Sequence, residues 1–292
     1  MKTKKFLSIV LLMAMSLSLF VSCNKDDDDN YLTPNEQEQK SQWTINSSDD
    51  VIGTGQRVIL TTNYQTNNPN MLITWYDGDK QLNSSPRSKT DYTWTAGEVG
   101  IHTIKAVITD REDVIEITNK FEVIETDLSD VILGDKKTKV LRTISSYKEK
   151  NGYIEYGTTN NLNKCYFNSS NDNEVVSKIR NEIKKNCLDP SYMNTSDYFL
   201  TLSSFRDAAN KARTKYGNPI TWVMPEAENV DDGVSEGIDF YNGRKTYKAV
   251  FKLRETHTVT LTLVGKVRST YWSAGGQMVP APESYTIITE VE

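Results

Sequence analysis

Six carboxylates, Glu226, Glu228, Asp231, Asp232, Glu236 and Asp239, crowd one short stretch and carry the first chemistry to weigh. Two carboxyl groups at a set separation act as acid and base on a glycoside, but nothing in this spacing fixes such a separation. Clustered oxygen ligands also make Asp231, Asp232 and Glu236 a weak calcium candidate. Gly233 and Gly237 in the same stretch point instead to a solvated, mobile loop. The two histidines, His102 and His257, lie far apart, and neither begins a metal spacing such as H-x-x-x-H. There is no C-x-x-C pair, no G-x-S-x-G elbow and no phosphate loop; Gly53-Thr54-Gly55 lacks the rest of that fingerprint. The pattern argues against an enzyme and names no cofactor, with a carboxylate-based hydrolase kept as an alternative.

Binding chemistry is more legible than catalysis. Tyr271-Trp272-Ser273-Ala274-Gly275-Gly276-Gln277-Met278-Val279-Pro280-Ala281-Pro282 sets aromatics beside glycines and prolines in an expected loop. Tyr271 and Trp272 there can offer flat apolar faces to a sugar ring or a partner protein. The competing expectation is that Trp272 folds back over the sheet as a lid on the core. Cys165 and Cys187 form a possible disulfide if the chain is exported, or two buried thiols packing as small hydrophobes.

The N-terminus supplies an address. Lys2, Lys4 and Lys5 precede an apolar run from Phe6 to Phe20, about the length of a signal-peptide core and short for a membrane span. It ends in Leu19-Phe20-Val21-Ser22-Cys23, which resembles the lipobox of bacterial lipoproteins. The resemblance implies a signal peptide over 1–22 and Cys23 as the acylated first residue, carrying diacylglycerol and a further acyl chain such as palmitate. Each buried methylene holds by about 0.8 kcal/mol, so several chains anchor firmly. Asn24-Lys25-Asp26-Asp27-Asp28-Asp29 resembles the export signal of Bacteroidetes surface lipoproteins; its alternative is a solvated spacer of like charges. Residues 23–41 then form an acidic tether. The expected location is the outer membrane, facing the cell exterior, with membrane lipid as a partner through Cys23.

The elements that must position these residues fall into two groups. The chain has 292 residues, room for about two domains, and its 37% hydrophobic content is that of a globular protein. Removing Lys2, Lys4 and Lys5 takes the formal charge of −5 to −8, which with no basic tract makes nucleic acid a poor partner. Over 42–126 the alternation predicts strands at Trp43–Ser47, Arg57–Asn63, Met71–Tyr76, Tyr92–Thr95, Gly100–Thr109 and Val114–Ile124, an all-β sandwich. Ile73-Thr74-Trp75-Tyr76-Asp77-Gly78 resembles the tryptophan strand of immunoglobulin-like domains. Gly100-Ile101-His102-Thr103-Ile104-Lys105-Ala106-Val107-Ile108-Thr109-Asp110 is similar to the closing strand of the PKD family. In that pattern His102 stands where an aromatic is usual, so its expected role is structural, and Trp75 and Trp94 read as core.

Over 128–292 the pattern predicts an α+β domain with an antiparallel sheet. Asp172 is expected to cap a helix from Asn173 to Asn186, and a second helix runs about Leu202–Tyr216, stopped by Gly217-Asn218-Pro219. A hairpin turning at Arg254-Glu255-Thr256 and a last strand, Tyr285–Val291, complete it. Ile132-Leu133-Gly134-Asp135-Lys136-Lys137-Thr138-Lys139-Val140 and Lys215-Tyr216-Gly217-Asn218-Pro219 resemble pieces of SmpA/OmlA-type outer-membrane lipoprotein domains. There a helical layer on a sheet serves as a protein-contact surface. The whole reads as a non-catalytic binding, adhesion or spacer lipoprotein with a glycan or protein ligand. The alternative is an envelope structural protein contacting an outer-membrane complex.

Overall fold

Strict alternation shapes the first half of the molecule. In β7 (Gly100–Asp110) Ile104, Ala106 and Ile108 are fully buried while Thr103, Lys105 and Thr109 face the other way. A computed structural model describes residues 43–170, 173–188, 195–272 and 278–292, without the side chains of 169, 170, 173, 195, 271, 272 and 278. The expected signal peptide over 1–22, Cys23, the tether over 23–41 and the Asp172 cap lie outside the described residues.

Two sheets build the sandwich. One joins β1 (Ile45–Ser47), β3 (Arg57–Thr62) and β6 (Asp91–Thr95). The other runs in the order β2 (Ile52–Gly53), β8 (Asp113–Ile124), β7, β4 (Leu72–Asp77) and β5 (Lys80–Gln81). β2 pairs parallel with β8; the remaining neighbours are antiparallel. This division of strands is that of an immunoglobulin-like sandwich. Trp75 from one sheet and Trp94 from the other are each 2% exposed and fill its interior. Each takes roughly 200 Å² out of water, about 5 kcal/mol of apolar burial.

A second core lies on an eight-stranded antiparallel sheet. Its order is β13 (Thr221–Val223), β14 (Lys248–Lys252), β15 (Thr258–Trp272), β16 (Met278–Val291), β12 (Asn173–Asn186), β11 (Asn161–Ser170), β10 (Tyr153–Thr158) and β9 (Lys148–Lys150). The chain's last strand, β16, therefore sits mid-sheet and joins two meanders. Among the described residues there are three helices: α1 (Lys137–Thr143), α2 (Thr195–Tyr216) and α3 (Val230–Tyr241). α2 buries Tyr198, Leu202, Phe205, Ala209 and Ala212, alternate steps of four and three that trace one helical stripe. It ends at Gly217, whose φ of 83° only glycine adopts readily.

Two expectations are corrected here. Asn173–Asn186 is a strand, not a helix. A spacing of four between Val175, Ile179 and Ile183 suits a helix turn, but it is also twice the strand period, and the β-branched residues favour the sheet. As a strand it places Lys178, Arg180 and Glu182 in a row that pairs with Lys164 and Glu290 on its neighbours, at 2.8–3.3 Å. Partly exposed pairs of this kind contribute at most about 1 kcal/mol each. Ser177 is the extra residue at a bulge in the β11–β12 register.

From Val230 onward the acidic stretch is a helix, not a mobile loop, with Glu226 and Glu228 in the irregular segment ahead of it. Asn229 caps α3 by accepting from the Asp232 N–H at 3.0 Å. Gly233 and Gly237, one helical turn apart, are the close contact with α2. A Cβ on Gly233 would stand 2.8 Å from the Cβ of Phe199, and one on Gly237 2.5 Å from the Cβ of Tyr198. The glycines that read as chain breakers are there to let two helices touch.

Between the two cores runs a polar joint. Asp135 accepts from Gln56 Nε2 at 2.6 Å, from the Ile132 N–H at 3.0 Å and from Lys139 Nζ at 2.6 Å. Lys139 also donates to the Val51 carbonyl at 2.7 Å, and Gln56 to that of Asp130 at 3.1 Å. The Asp135 and Lys139 side chains are only 5% and 4% exposed. Further out, Arg142 pairs with Asp49 and Arg254 with Asp127. Trp43–Glu292 accordingly forms one compact unit.

Candidate functional site

The residues singled out for chemistry do not converge. Asp231 and Asp232 occupy the exposed first turn of α3, where negative charge suits the positive end of the helix. Glu236 is buried and turned elsewhere. It accepts from the Glu226 and Ala227 N–H groups, at 3.0 and 2.7 Å, and from Tyr247 Oη at 2.7 Å, with Lys245 Nζ 3.6 Å away. Burial alone would raise its pKa, but these donors outweigh it and hold the carboxyl below the usual range. The calcium candidate is therefore corrected to a structural carboxylate. Among the described residues no cluster of three His, Cys, Asp or Glu side chains is built to hold an ion.

Cys165 and Cys187 are free thiols, which corrects the possible disulfide. Because Asn173–Asn186 is a strand, Cys165 sits opposite Ile179 in register. Cys187 follows eight residues further on, roughly 26 Å at the usual rise per strand residue. A disulfide needs its Cα atoms within about 7 Å. Burial pushes the Cys165 thiol up to about 12 and raises that of Cys187, whose Sγ lies 3.6 Å from Tyr241 Oη.

Tyr271 and Trp272 stand on a strand rather than in a loop. They pair in register with Val279 and Met278 as the last rungs of the β15–β16 hairpin before 273–277. Their side chains lie outside the described residues.

His102 has a structural role, and its contacts favour the charged form of the ring. Its Nδ1 lies 2.8 Å from Asp77 Oδ2 and its Nε2 2.8 Å from the Glu98 carbonyl, with Trp94 edge-on at 5.4 Å. Two acceptors ask for two ring protons. Burial works against the cation, but the Glu98 carbonyl and Asp77 outweigh it and raise the pKa. A raised pKa contributes stability that is whole below the unfolded value, about 6.5, and is lost as pH rises through the folded one. Urea unfolding is expected to show wild type losing more stability than His102→Gln between pH 5.5 and 8.5. Equal losses would contradict the charged assignment.

Sequence reasoning passed over an opening beside the β3–β4 connection. The β3–β4 connection, with Ser88 and Thr90 ahead of β6, borders an open cleft of about 690 Å³. Thr62, Asn63, Tyr64, Gln65, Thr66, Asn67 and Asn68 follow one another along its wall. Asp110, at the end of β7, pins this loop: Tyr64 Oη donates to it at 2.6 Å and Asn68 Nδ2 at 2.7 Å. Hydrogen bonds from Thr66, Tyr64 and Asn68 hold Asp110 down to about 2, while burial and Asp110 push Tyr64 up to about 12. Asn68 Oδ1 accepts from the Asn70 N–H at 3.0 Å, and Trp43 lies edge-on to Tyr64 at 4.8 Å. The signal was present as a run of amides and hydroxyls, but Asn67-Asn68-Pro69-Asn70 reads first as a turn. Smaller openings of about 380 and 570 Å³ flank the joint, and among their charged lining residues Asp135 pairs with Lys139 and Asp127 with Arg254.

No family model matches the chain, and no curated protein matches it either. Among solved structures it is similar to the fibronectin(III)-like modules of Clostridium thermocellum CbhA, at 21% identity and a TM-score of 0.24, over 30% of this chain and 100% of that one. It is also similar to a carbohydrate-binding module of the β-sandwich superfamily, described for its promiscuous specificity. That likeness has 10% identity and a TM-score of 0.25, over 85% of this chain and 94% of that one. At such scores neither likeness bears on fold or ligand, and the sandwich assignment rests on strand order and core.

Proposed function

We propose that this chain is a non-catalytic, lipid-anchored module of the cell envelope. In this reading acylated Cys23 fixes it to the outer membrane, the acidic tether over 23–41 leads outward, and the folded body binds a glycan or protein ligand at the cell exterior. The observation that carries the mode of action is the buried joint of Gln56, Asp135 and Lys139. It makes a stiff body of two cores, suited to presenting a surface at a distance from an anchor. The address rests on the residues from Lys2 to Cys23 and their resemblance to a lipobox. Glu236, one of the six carboxylates weighed for a hydrolase, is committed to three structural donors. Tyr271 and Trp272 are proposed ligand contacts at the end of the β15–β16 hairpin.

A second reading, contact with an outer-membrane protein complex, is favoured by the edge strand β13, flanked by Ile220 at 64% and carrying Val223 at 48% exposure. Mass spectrometry of the N-terminal peptide from isolated membranes tests the anchor. The expected species begins at Cys23 with diacylglycerol and a further acyl chain. A soluble product with an unmodified cysteine, or with residues 1–22 retained, would overturn it. Protease treatment of intact cells is expected to remove the folded body; protection from protease would favour the second reading.

A further inference from the structure

We propose that the cleft between the β3–β4 loop and the Ser88–Thr90 segment is a binding site for a neutral saccharide. The inference rests on the reading of the chain as a binding module and names the ligand class and a place for it. The wall carries the carboxamides of Asn63, Gln65, Asn67 and Asn68 and the hydroxyls of Thr62, Tyr64, Thr66, Ser88 and Thr90; Asn63 and Asn68 are engaged within the protein, and the exposed Gln65 and Asn67 are the carboxamides offered to a ligand. It includes no lysine, arginine, aspartate or glutamate. A carboxamide sets a donor beside an acceptor, which matches the neighbouring hydroxyls of a sugar ring. An anion would lose hydration there without meeting a cation, the carboxylate behind the wall, Asp110, already takes its donors from Tyr64 and Asn68, and an apolar ligand would strand the amides. A neutral polyhydroxyl compound suffers neither penalty.

Size and order agree with this. A cleft of about 690 Å³ falls within the few hundred to roughly 1,000 Å³ usual for small-ligand sites. Pro69 adds exposed apolar surface for the C–H face of a ring. The loop is held before any ligand arrives, by Asp110 on Tyr64 and Asn68 and by Thr66 Oγ1 accepting from the Asn68 N–H at 3.1 Å. Less ordering is then left for binding to impose. Gln65 and Asn67 are exposed, so their truncation leaves the pinned part of the loop intact.

The test is a titration of the detergent-solubilised full chain against soluble glucans, mannans and xylans, with sulfated and sialylated glycans as charged controls. Wild type is expected to bind at least one neutral glycan and to prefer it to the charged set. The double variant Gln65→Ala/Asn67→Ala is expected to raise Kd at least tenfold with an unchanged Tm, whether or not Trp272→Ala also weakens binding. No neutral glycan bound, preference for the charged set, or a Kd unmoved by the double variant would each overturn the cleft assignment. Loss of binding in Trp272→Ala alone would overturn the cleft and leave the binding-module reading standing. A soluble, unacylated product would sink the anchored reading whatever the titration gives.

Discussion

Asp135→Ala is expected to lower the unfolding free energy by about 3–5 kcal/mol, the usual effect of leaving one partner of a buried ion pair alone. The Lys139 ammonium would keep a single partner, the Val51 carbonyl, at 4% side-chain exposure. The Ile132 N–H and Gln56 Nε2 would each lose an acceptor as well. Replacing both charged partners, as in Asp135→Asn/Lys139→Met, is expected to recover most of the loss, because no naked charge then remains in the joint. Urea unfolding followed by circular dichroism measures both. An Asp135→Ala loss below about 1 kcal/mol would show that the joint is wet and the body hinged.

Glu236→Ala is the second large effect, also about 3–5 kcal/mol, since three donors lose a buried acceptor together. Two of them are the backbone N–H groups of Glu226 and Ala227, which direct the chain into α3, and the third is Tyr247 Oη in the core. The pH dependence has a definite sign. A carboxyl held below its unfolded value contributes stability that is present above that value, about 4.3, and fades as pH falls through the folded pKa. Glu236→Gln keeps one acceptor oxygen, so it is expected to retain part of the stability and to show a weaker acid dependence than wild type. Unfolding curves at pH 3 and 6 decide this, and equal slopes for the two proteins would contradict the assignment.

Where sequence and structure agree, the interactions are local. Residues 103–110 alternate strictly, so their buried face is set by a period of two, and the stop of α2 at Gly217 follows from a conformation that glycine adopts most readily. Where they part, the sequence pattern fits two periods at once or hides its partner. Val175, Ile179 and Ile183 suit either a helix or a strand, and the β16 and β11 neighbours decide between them. Gly233 and Gly237 look like breakers until Phe199 and Tyr198 are packed against them. The candidate ion ligands separate for the same reason, because α3 turns Glu236 inward and leaves Asp231 and Asp232 in solvent.

By itself the sequence determined the main sandwich strands, their tryptophan core and the end of the long helix, all of which follow from neighbours close along the chain. Tertiary structure alone decided the β12 strand, the free thiols, the pinned cleft and the joint. Gln56 meets Asp135 across 79 residues and Tyr64 meets Asp110 across 46, and no local periodicity records which distant polar groups will be buried together. Desolvation selects those partners only once the sheets have closed, because an unpaired polar group is tolerated in water and penalised inside.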